Sequence, residues 1–417
     1  MADSSLASEH QRYTRTESVR LGGVPMELEW VAYGIADAPP AAELPQIVAT
    51  YGLLELEYSA FRRSAAVLDR ADRGTLVLEG AARVEFLNRM VTQELKGMAA
   101  GQVRRAFWLN RKGRIQADLL LCEFGACQLP SCGAQPARML VDLDVHDVKD
   151  AAASLEAFVL SEDVRLTAAT AQWSRLSVHG PSAVAVLQRA ATCGEELFEP
   201  LHADMACAVV ELVGAPVWVA RADSCGTLGL ELWVPAEHAA RVYAALVDQH
   251  SAEEGGRRLA RPAGWQAYNI ARIEAGTPLF HVDFGPSNLP HETGVLAQRV
   301  SFKKGCYLGQ EVVARMESLG KPKQVLVALR PAQDLLPTAG SPVFERSADG
   351  EPGSPVGTVT SSTLSPLLGA QPVAFAMLRT AQAEPGTLLV VPAEGGRTDA
   401  TVQPTLAFVR PEGAAAP

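Results

Sequence analysis

The sequence predicts an α+β fold, with two duplicated strand–helix–hairpin units followed by a small C-terminal β-barrel. Two observations carry the prediction. The first is an internal repeat. Leu76-Val77-Leu78-Glu79-Gly80, followed by Val84, Leu87 and Arg89, recurs as Leu176-Ser177-Val178-His179-Gly180, followed by Val184, Leu187 and Arg189. The second is a run of short apolar segments beyond Pro322, separated by frequent glycine and proline, which is the pattern of a small barrel.

Each copy reads as a strand, a glycine turn and an amphipathic helix with apolar residues at i and i+3. The first copy continues into a hairpin, Ala106 to Asn110 and Ile115 to Cys122; the second into Val217 to Arg221 and Leu228 to Val234. Helical segments near Val148 to Phe158 and Ala236 to Val247 close the copies. Helices on largely antiparallel sheets follow from that order. After the repeats, Gly264 to Glu274 reads as a helix closed by Gly276 and Pro278. The barrel strands are expected at Gln324 to Leu329, Val343 to Arg346, Gly357 to Ser361, Pro372 to Met377, Thr387 to Val391 and Thr405 to Val409. The domain limits are then a disordered tail over 1–20, a two-repeat region over 21–325 and the barrel over 326–410. The copies themselves occupy about 70–160 and 170–250. Ala36 to Pro45 reads as a loop, and Pro411 to Pro417 as a frayed end.

With 417 residues and 48% hydrophobic composition, two or three ordinary cores are expected. A net charge of −10 leaves no global field for a polyanion, so strong direct nucleic-acid binding is not expected. The first twenty residues lack an apolar core, and no apolar run reaches membrane length, which predicts a cytosolic protein. Seven cysteines without a Cys-x-x-Cys pair argue against a disulfide framework. Cys122, Cys127 and Cys132 are evenly spaced, but no close histidine completes a site and the spacing fits no common metal pattern, so no resident metal is expected.

Two acids stand out. Gly113-Arg114-Ile115-Gln116-Ala117-Asp118-Leu119 and Gly226-Thr227-Leu228-Gly229-Leu230-Glu231-Leu232 share a Gly-x4-acid-Leu spacing. Pleat alternation permits either solvated outward residues or, if the copies pack about a pseudo-two-fold, two acids facing a shared cavity.

The chain also carries Lys303-Lys304-Gly305-Cys306-Tyr307-Leu308-Gly309-Gln310-Glu311, leading into Val312, Val313, Met316 and Leu319 on one helical face. A helix is expected from about Gly309 to Leu319, with Cys306 in a glycine-flanked turn before it. Backbone N–H groups and two neighbouring lysines would favour the Cys306 thiolate. The alternative is a buried cysteine in a tight turn.

Lys304 to Glu311 resembles the K-G-C-Y-x-G-Q-E signature of YgfZ-type folate-binding proteins, relatives of the glycine-cleavage T-protein (aminomethyltransferase). Ala271-Arg272-Ile273-Glu274-Ala275-Gly276 is similar to that superfamily's L-R-L-E-A-G segment. Thr358-Val359-Thr360-Ser361 with Ser365-Pro366-Leu367 is similar to its barrel stretch. The resemblance implies a cloverleaf of domains around tetrahydrofolate or a derivative. It implies that Glu231 binds the pterin and that Arg272 pairs with the folate's glutamate carboxylates; the alternative for Arg272 is an ion pair on the helix surface. Asp118 is the weaker candidate for the cavity. The aminomethyltransferase has an aspartate pair where this chain has Ala117 and Asp118, and an alanine supplies no carboxylate to a reacting nitrogen.

The main expectation is therefore a folate-binding accessory protein serving iron–sulfur enzymes or their assembly proteins, including tRNA-modifying ones, and not a glycine-cleavage aminomethyltransferase. Cys306 would be its reactive thiol or a transient cluster contact. The alternatives are a folate-dependent one-carbon (aminomethyl or methyl) transferase using different acids, and a structural scaffold.

Overall fold

The computed structural model describes residues 4–34, 44–250 and 258–409. The loop expected over 36–45 and the end expected to fray lie mostly or wholly outside them. The chain divides into two compact units: 1–88 with 95–105 and 119–268, and 89–94 with 106–118 and 269–417.

The first unit opens with helix α1 (Ala7–Arg20), where the sequence predicts a disordered tail. The reading fails because the polar residues of α1 have partners far along the chain. His10 is fully buried, with Nε2 3.0 Å from the Asp69 carboxylate and Nδ1 2.7 Å from the Tyr51 hydroxyl. Glu17 accepts from Arg20 (2.8 Å), Arg258 (2.7 Å) and Arg261 (3.0 Å). Burial opposes its charge, but the arginines hold the carboxyl at about 2.

After β1 (Ala65–Asp69) comes the first copy: β2 (Arg73–Glu79), α2 (Arg83–Met90), β3 (Gln102–Leu109), β4 (Ile115–Phe124), β5 (Arg138–Asp144) and α3 (Val148–Glu156). Strand β6 (Arg165–Ala168) leads into the second: β7 (Trp173–His179), α4 (Ala183–Ala190), β8 (Cys207–Leu212), β9 (Ala215–Arg221), β10 (Gly229–Pro235) and α5 (Ala239–Val247). The sheets are ordered β6-β2-β5-β4-β3 and β8-β9-β10-β7-β1-β11, where β11 is Ala260–Pro262. In each copy the first strand therefore pairs with the last, and the same turn ties it to its helix. Gly80 and Gly180 both have positive φ (+99° and +126°). A Cβ would meet the Asp163 carbonyl oxygen at 2.1 Å in one and the Ser64 carbonyl oxygen at 2.4 Å in the other.

The register corrects the pairing of the two acids. Val77 faces Leu140 on β5, and its repeat partner Ser177 faces Glu231 on β10. The counterpart of Glu231 is thus Leu140, not Asp118, which lies on β4. The sequence reading omits strands β5 and β8, and the first copy carries an extra hairpin (Cys127–Leu129 with Gly133–Gln135) that shifts the spacing. One core cluster draws on both sheets of the unit, with Val77, Leu120 and Leu140 from one and Val209, Trp218 and Trp233 from the other. Burial of that face, and of the opposite face of the second sheet under α4 and α5, is what holds the unit together.

In the second unit, helix α6 (Trp265–Glu274), which begins in the first, is followed by α7 (Gln310–Leu319) and a closed six-stranded barrel. The barrel strands are β12 (Gln324–Pro331), β13 (Pro342–Arg346), β14 (Pro352–Ser365), β15 (Gln371–Arg379), β16 (Leu388–Ala393) and β17 (Gly396–Val402). The mixed α/β fold with its barrel agrees with the expectation, except that the sixth strand is Gly396–Val402 and not Thr405 to Val409. The hairpin Leu388–Val402 closes the barrel through β12. Only Val313 of α7 is buried, and Leu319 is 84% exposed, so the expected apolar face is mostly uncovered within this unit. Among the described residues no helix is long and apolar enough to cross a membrane.

Candidate functional site

The first unit contains an unusual concentration of buried charge. Pleat alternation turns Leu230, Leu232 and Val234 to one core and Glu231 and Trp233 to the other face. On the neighbouring strand β7, Arg175 pairs with Trp233 and Ser177 with Glu231. The Arg175 guanidinium carbon sits over the Trp233 indole, 3.7 Å from its centroid, and Nη1 donates to the Leu232 carbonyl. Its Nη2 donates to Asp142 Oδ1 at 2.9 Å and reaches Glu231 Oε2 at 3.4 Å. Arg73 on β2 holds the other Asp142 oxygen at 2.7 Å. Arg70, in the turn after β1, forks onto Asp72 at 2.8 and 2.9 Å, lies over the Tyr268 ring, and stands 3.8 Å from Glu231 Oε1.

Every short hydrogen bond from these three arginines to a carboxylate therefore goes to Asp72 or Asp142. Glu231 is 7% exposed and receives only long contacts. Burial pushes its carboxyl pKa up against the pull of Arg70 and Arg175. Asp142 is equally desolvated, but Arg73 and Arg175 outweigh that and hold it at about 2. Three buried nitrogens of the cluster have no hydrogen-bond partner among the described residues, Arg175 Nε, His179 Nδ1 and Trp233 Nε1. His179 bonds Ser177 Oγ through Nε2 at 3.0 Å, and burial followed by the charge of Arg70 lowers its pKa to about 3, so it is neutral. A buried carboxylate with open acceptor sites suits a ligand that presents adjacent N–H donors.

Glu231 is the one expected site residue in this cluster; Arg70, Arg73, Asp142 and Arg175 were not expected. Their signal was partly present. Met139, Val141 and Leu143 alternate with Leu140, Asp142 and Asp144, as in a strand with acids on one face. Asp118 belongs to the second unit, half-buried beside a fully buried Ala117, and Arg299 forks onto it at 3.3 and 3.4 Å.

Arg272 does not fit its expected pairing with folate carboxylates. It is fully buried in the second unit, where Nε donates to Asn269 (2.9 Å), Nη2 to Ser361 (2.7 Å), and Nη1 to Thr277 and Asp283. The alternative of a surface ion pair fails for the same reason. Asp283 also accepts from Thr360 (2.9 Å) and Ser361 (2.6 Å), and Glu274 from Ser365 (2.5 Å) and the Leu367 N–H. The Arg-Ile-Glu and Thr-Ser/Ser-Pro-Leu stretches are thus two halves of one buried polar joint.

Residues 47–304 match the GCVT N-terminal domain, and residues 323–408 the glycine cleavage T-protein C-terminal barrel domain. The chain belongs to the glycine cleavage T-protein family. Among similar proteins, the aminomethyltransferase of Cutibacterium acnes is 30% identical over 83% of this chain and 88% of its own length. That of Geobacillus kaustophilus is 28% identical over 85% and 90%. A crystal structure of glycine cleavage system aminomethyltransferase T from Bartonella henselae has the same fold, with a TM-score of 0.77, 98% coverage of both chains and 22% identity.

These relatives correct two expectations. They are named for aminomethyl transfer, the activity that the alanine at 117 was expected to exclude, and not for iron–sulfur assembly or tRNA modification. The accessory-protein reading, with its iron–sulfur partners, is set aside on that ground. Within this glycine cleavage T-protein family member, the Lys304–Glu311 stretch has a packing role. Lys304 is buried and donates to the carbonyls of Val91 (2.6 Å) and Gln93 (2.8 Å), and burial lowers its pKa to about 8. Tyr307 joins the core of Phe107, Leu109 and Phe284. A Cβ at Gly309 would lie 2.6 Å from the Asn110 carbonyl oxygen, so glycine lets α7 approach the β3–β4 turn. Gly305 and Glu311 are exposed and Gln310 is half-buried.

Cys306 is exposed, but the Lys304 ammonium expected beside it is held by backbone carbonyls. The clearest difference from the other cysteines is accessibility. The other six cysteines are buried or half-buried, and desolvation raises the pKa of each. Iodoacetamide at neutral pH is therefore expected to label Cys306 first, and Cys306→Ser to leave stability within about 0.5 kcal/mol. Peptide mapping that finds Cys306 no faster than Cys127, Cys132 or Cys193 would refute this.

Proposed function

We propose that this chain is a tetrahydrofolate-dependent one-carbon transferase that moves an aminomethyl or methyl unit, with Glu231 as the acid that binds the pterin between the two repeats. The observation that carries the reading is the Glu231 carboxylate, buried and loosely held at 3.4 and 3.8 Å by arginines committed to other acids. The pterin's amino group and adjacent ring N–H are parallel donors, and one carboxylate accepts both. Tetrahydrofolate, when bound, supplies the nitrogens that receive the one-carbon unit. The chain's own part is to orient the ring through Glu231 and to balance that carboxylate's charge with Arg70 and Arg175. Membership in the family and the names of the relatives support the reading. Residue 117 has no acid to offer, so any proton transfer to or from the reacting nitrogen falls to another group.

The test is calorimetric binding of tetrahydrofolate, followed by turnover with aminomethyl and methyl donors. Glu231→Ala is expected to weaken binding by about 1–3 kcal/mol, the usual cost of leaving donors unpaired. Equal affinity in wild type and variant, or no turnover with either donor, would sink the proposal.

A further inference from the structure

The nitrogen nearest Glu231 is shared. Arg175 Nη2 lies 2.9 Å from Asp142 and 3.4 Å from Glu231, so the two carboxylates compete for one donor and Asp142 takes the shorter bond. The competition is biased by position. Arg175 is clamped between the Leu232 carbonyl and the Trp233 ring, so it cannot swing fully to either acid. Asp142 is drawn in further by Arg73, which holds its second oxygen at 2.7 Å. On the other side, Asp72 occupies the Arg70 fork and leaves Glu231 a 3.8 Å contact.

We propose that Asp142 is a positioning residue that keeps Arg175 from closing on Glu231, and so leaves the Glu231 carboxylate open to two donors from a ligand. The inference rests on the reading of Glu231 as the pterin acid. It assigns a role to the one acid of the cluster whose place in the repeat is taken by an aromatic residue, Trp233, in the other copy. That difference makes the copies unequal. The first contributes the acid that restrains Arg175, and the second the acid that meets the ligand.

Removing the Asp142 charge should strengthen the hold of Arg175 on Glu231. The charged and titratable groups that act on Glu231 are Arg70, Arg73, Arg175 and Asp142, with Cys225 and Tyr268 nearby. Of these, the negative charge of Asp142 raises the Glu231 pKa and the arginines lower it. Loss of Asp142 therefore moves the Glu231 titration down, while the tighter ion pair opposes ligand binding.

The experiment follows the Glu231 carboxyl by infrared pH titration of the ligand-free protein, with its band identified by difference against Glu231→Gln. Asp142→Asn keeps the shape and removes the charge. Its Glu231 midpoint is expected to fall by about one pH unit or more, with tetrahydrofolate affinity at neutral pH reduced about tenfold. Asp142→Asn also deprives Arg73 of its carboxylate, so the charge-balanced double variant Arg73→Gln/Asp142→Asn is measured beside it. A smaller shift in the same direction is expected there, because Arg73 acts on Glu231 less than Asp142 does. Because loss of the Asp142 charge lowers the midpoint by itself, Asp142→Asn is also measured in an Arg175→Met background. A larger fall with Arg175 present is expected; an equal fall with and without Arg175, or a midpoint that stays put, overturns the inference. If the fall depends on Arg175 but the wild-type protein binds no tetrahydrofolate, the proposed function fails while the competition for Arg175 stands.

Discussion

Arg272→Met is expected to destabilise the second unit by about 3–5 kcal/mol, a large share of the stability of an ordinary domain. The substitution keeps much of the side-chain volume but leaves the Asp283 side chain buried without its cation. Asp283 is only 2% exposed, and its other partners, Leu279 N–H, Thr360 and Ser361, are neutral donors. Ser361 loses its donor partner at the same time, so the barrel and α6 lose the joint that fixes one on the other. Pairing the variant with Asp283→Leu should recover part of the loss, because an empty apolar pair is less costly than a lone buried charge. Urea unfolding is the measurement. A change below about 1 kcal/mol would refute the account of Arg272 as the cation that balances Asp283.

Gly180→Val is expected to prevent the first unit from folding stably. A β-branched residue does not adopt φ near +126°, and its Cβ would sit 2.4 Å from the Ser64 carbonyl oxygen and 2.9 Å from that of Ala60. Both obstacles are backbone, so nothing at the end of a flexible side chain can give way. Strain of about 1–3 kcal/mol for the dihedral alone adds to the cost of separating the β7 turn from the preceding helix, Leu54–Arg63. Gly214→Ala is the control: its φ is also positive, at +72°, but no atom lies within 4 Å of the added Cβ. A loss of about 1 kcal/mol is expected there. Equal melting temperatures for the two variants would refute the steric account.

How much of this was legible depends on the range over which each feature acts. The repeat could be read because its cause is local. A strand that buries both faces, a turn that requires glycine and a helix with one apolar stripe each leave their mark within twenty residues, and Leu76–Gly80 and Leu176–Gly180 carry that mark twice. The barrel was visible for the same reason, and the helix at Gln310–Leu319 was bounded by its own glycines. Glu231 stood out as an acid between apolar residues on a strand. The accessory role followed from two local features, the Lys304–Glu311 signature and Ala117, whereas the similarity to aminomethyltransferases extends over most of the chain.

The sequence by itself determined the fold class and the duplication, and it placed Glu231 between apolar residues on a strand. Tertiary structure alone decided what each charge is paired with. Arg272, Lys304 and Glu17 all look solvated or ligand-facing along the chain, and all three are buried with partners supplied from elsewhere. Asp118 and Glu231 share a spacing, yet strand pairing makes Leu140 the true counterpart of Glu231. A carboxylate's chemistry depends on dielectric and on cations within a few ångströms. Sequence order does not encode those distances, because the arginines that act on Glu231 come from three strands and turns, at residues 70, 73 and 175, that meet only when two sheets close on one core.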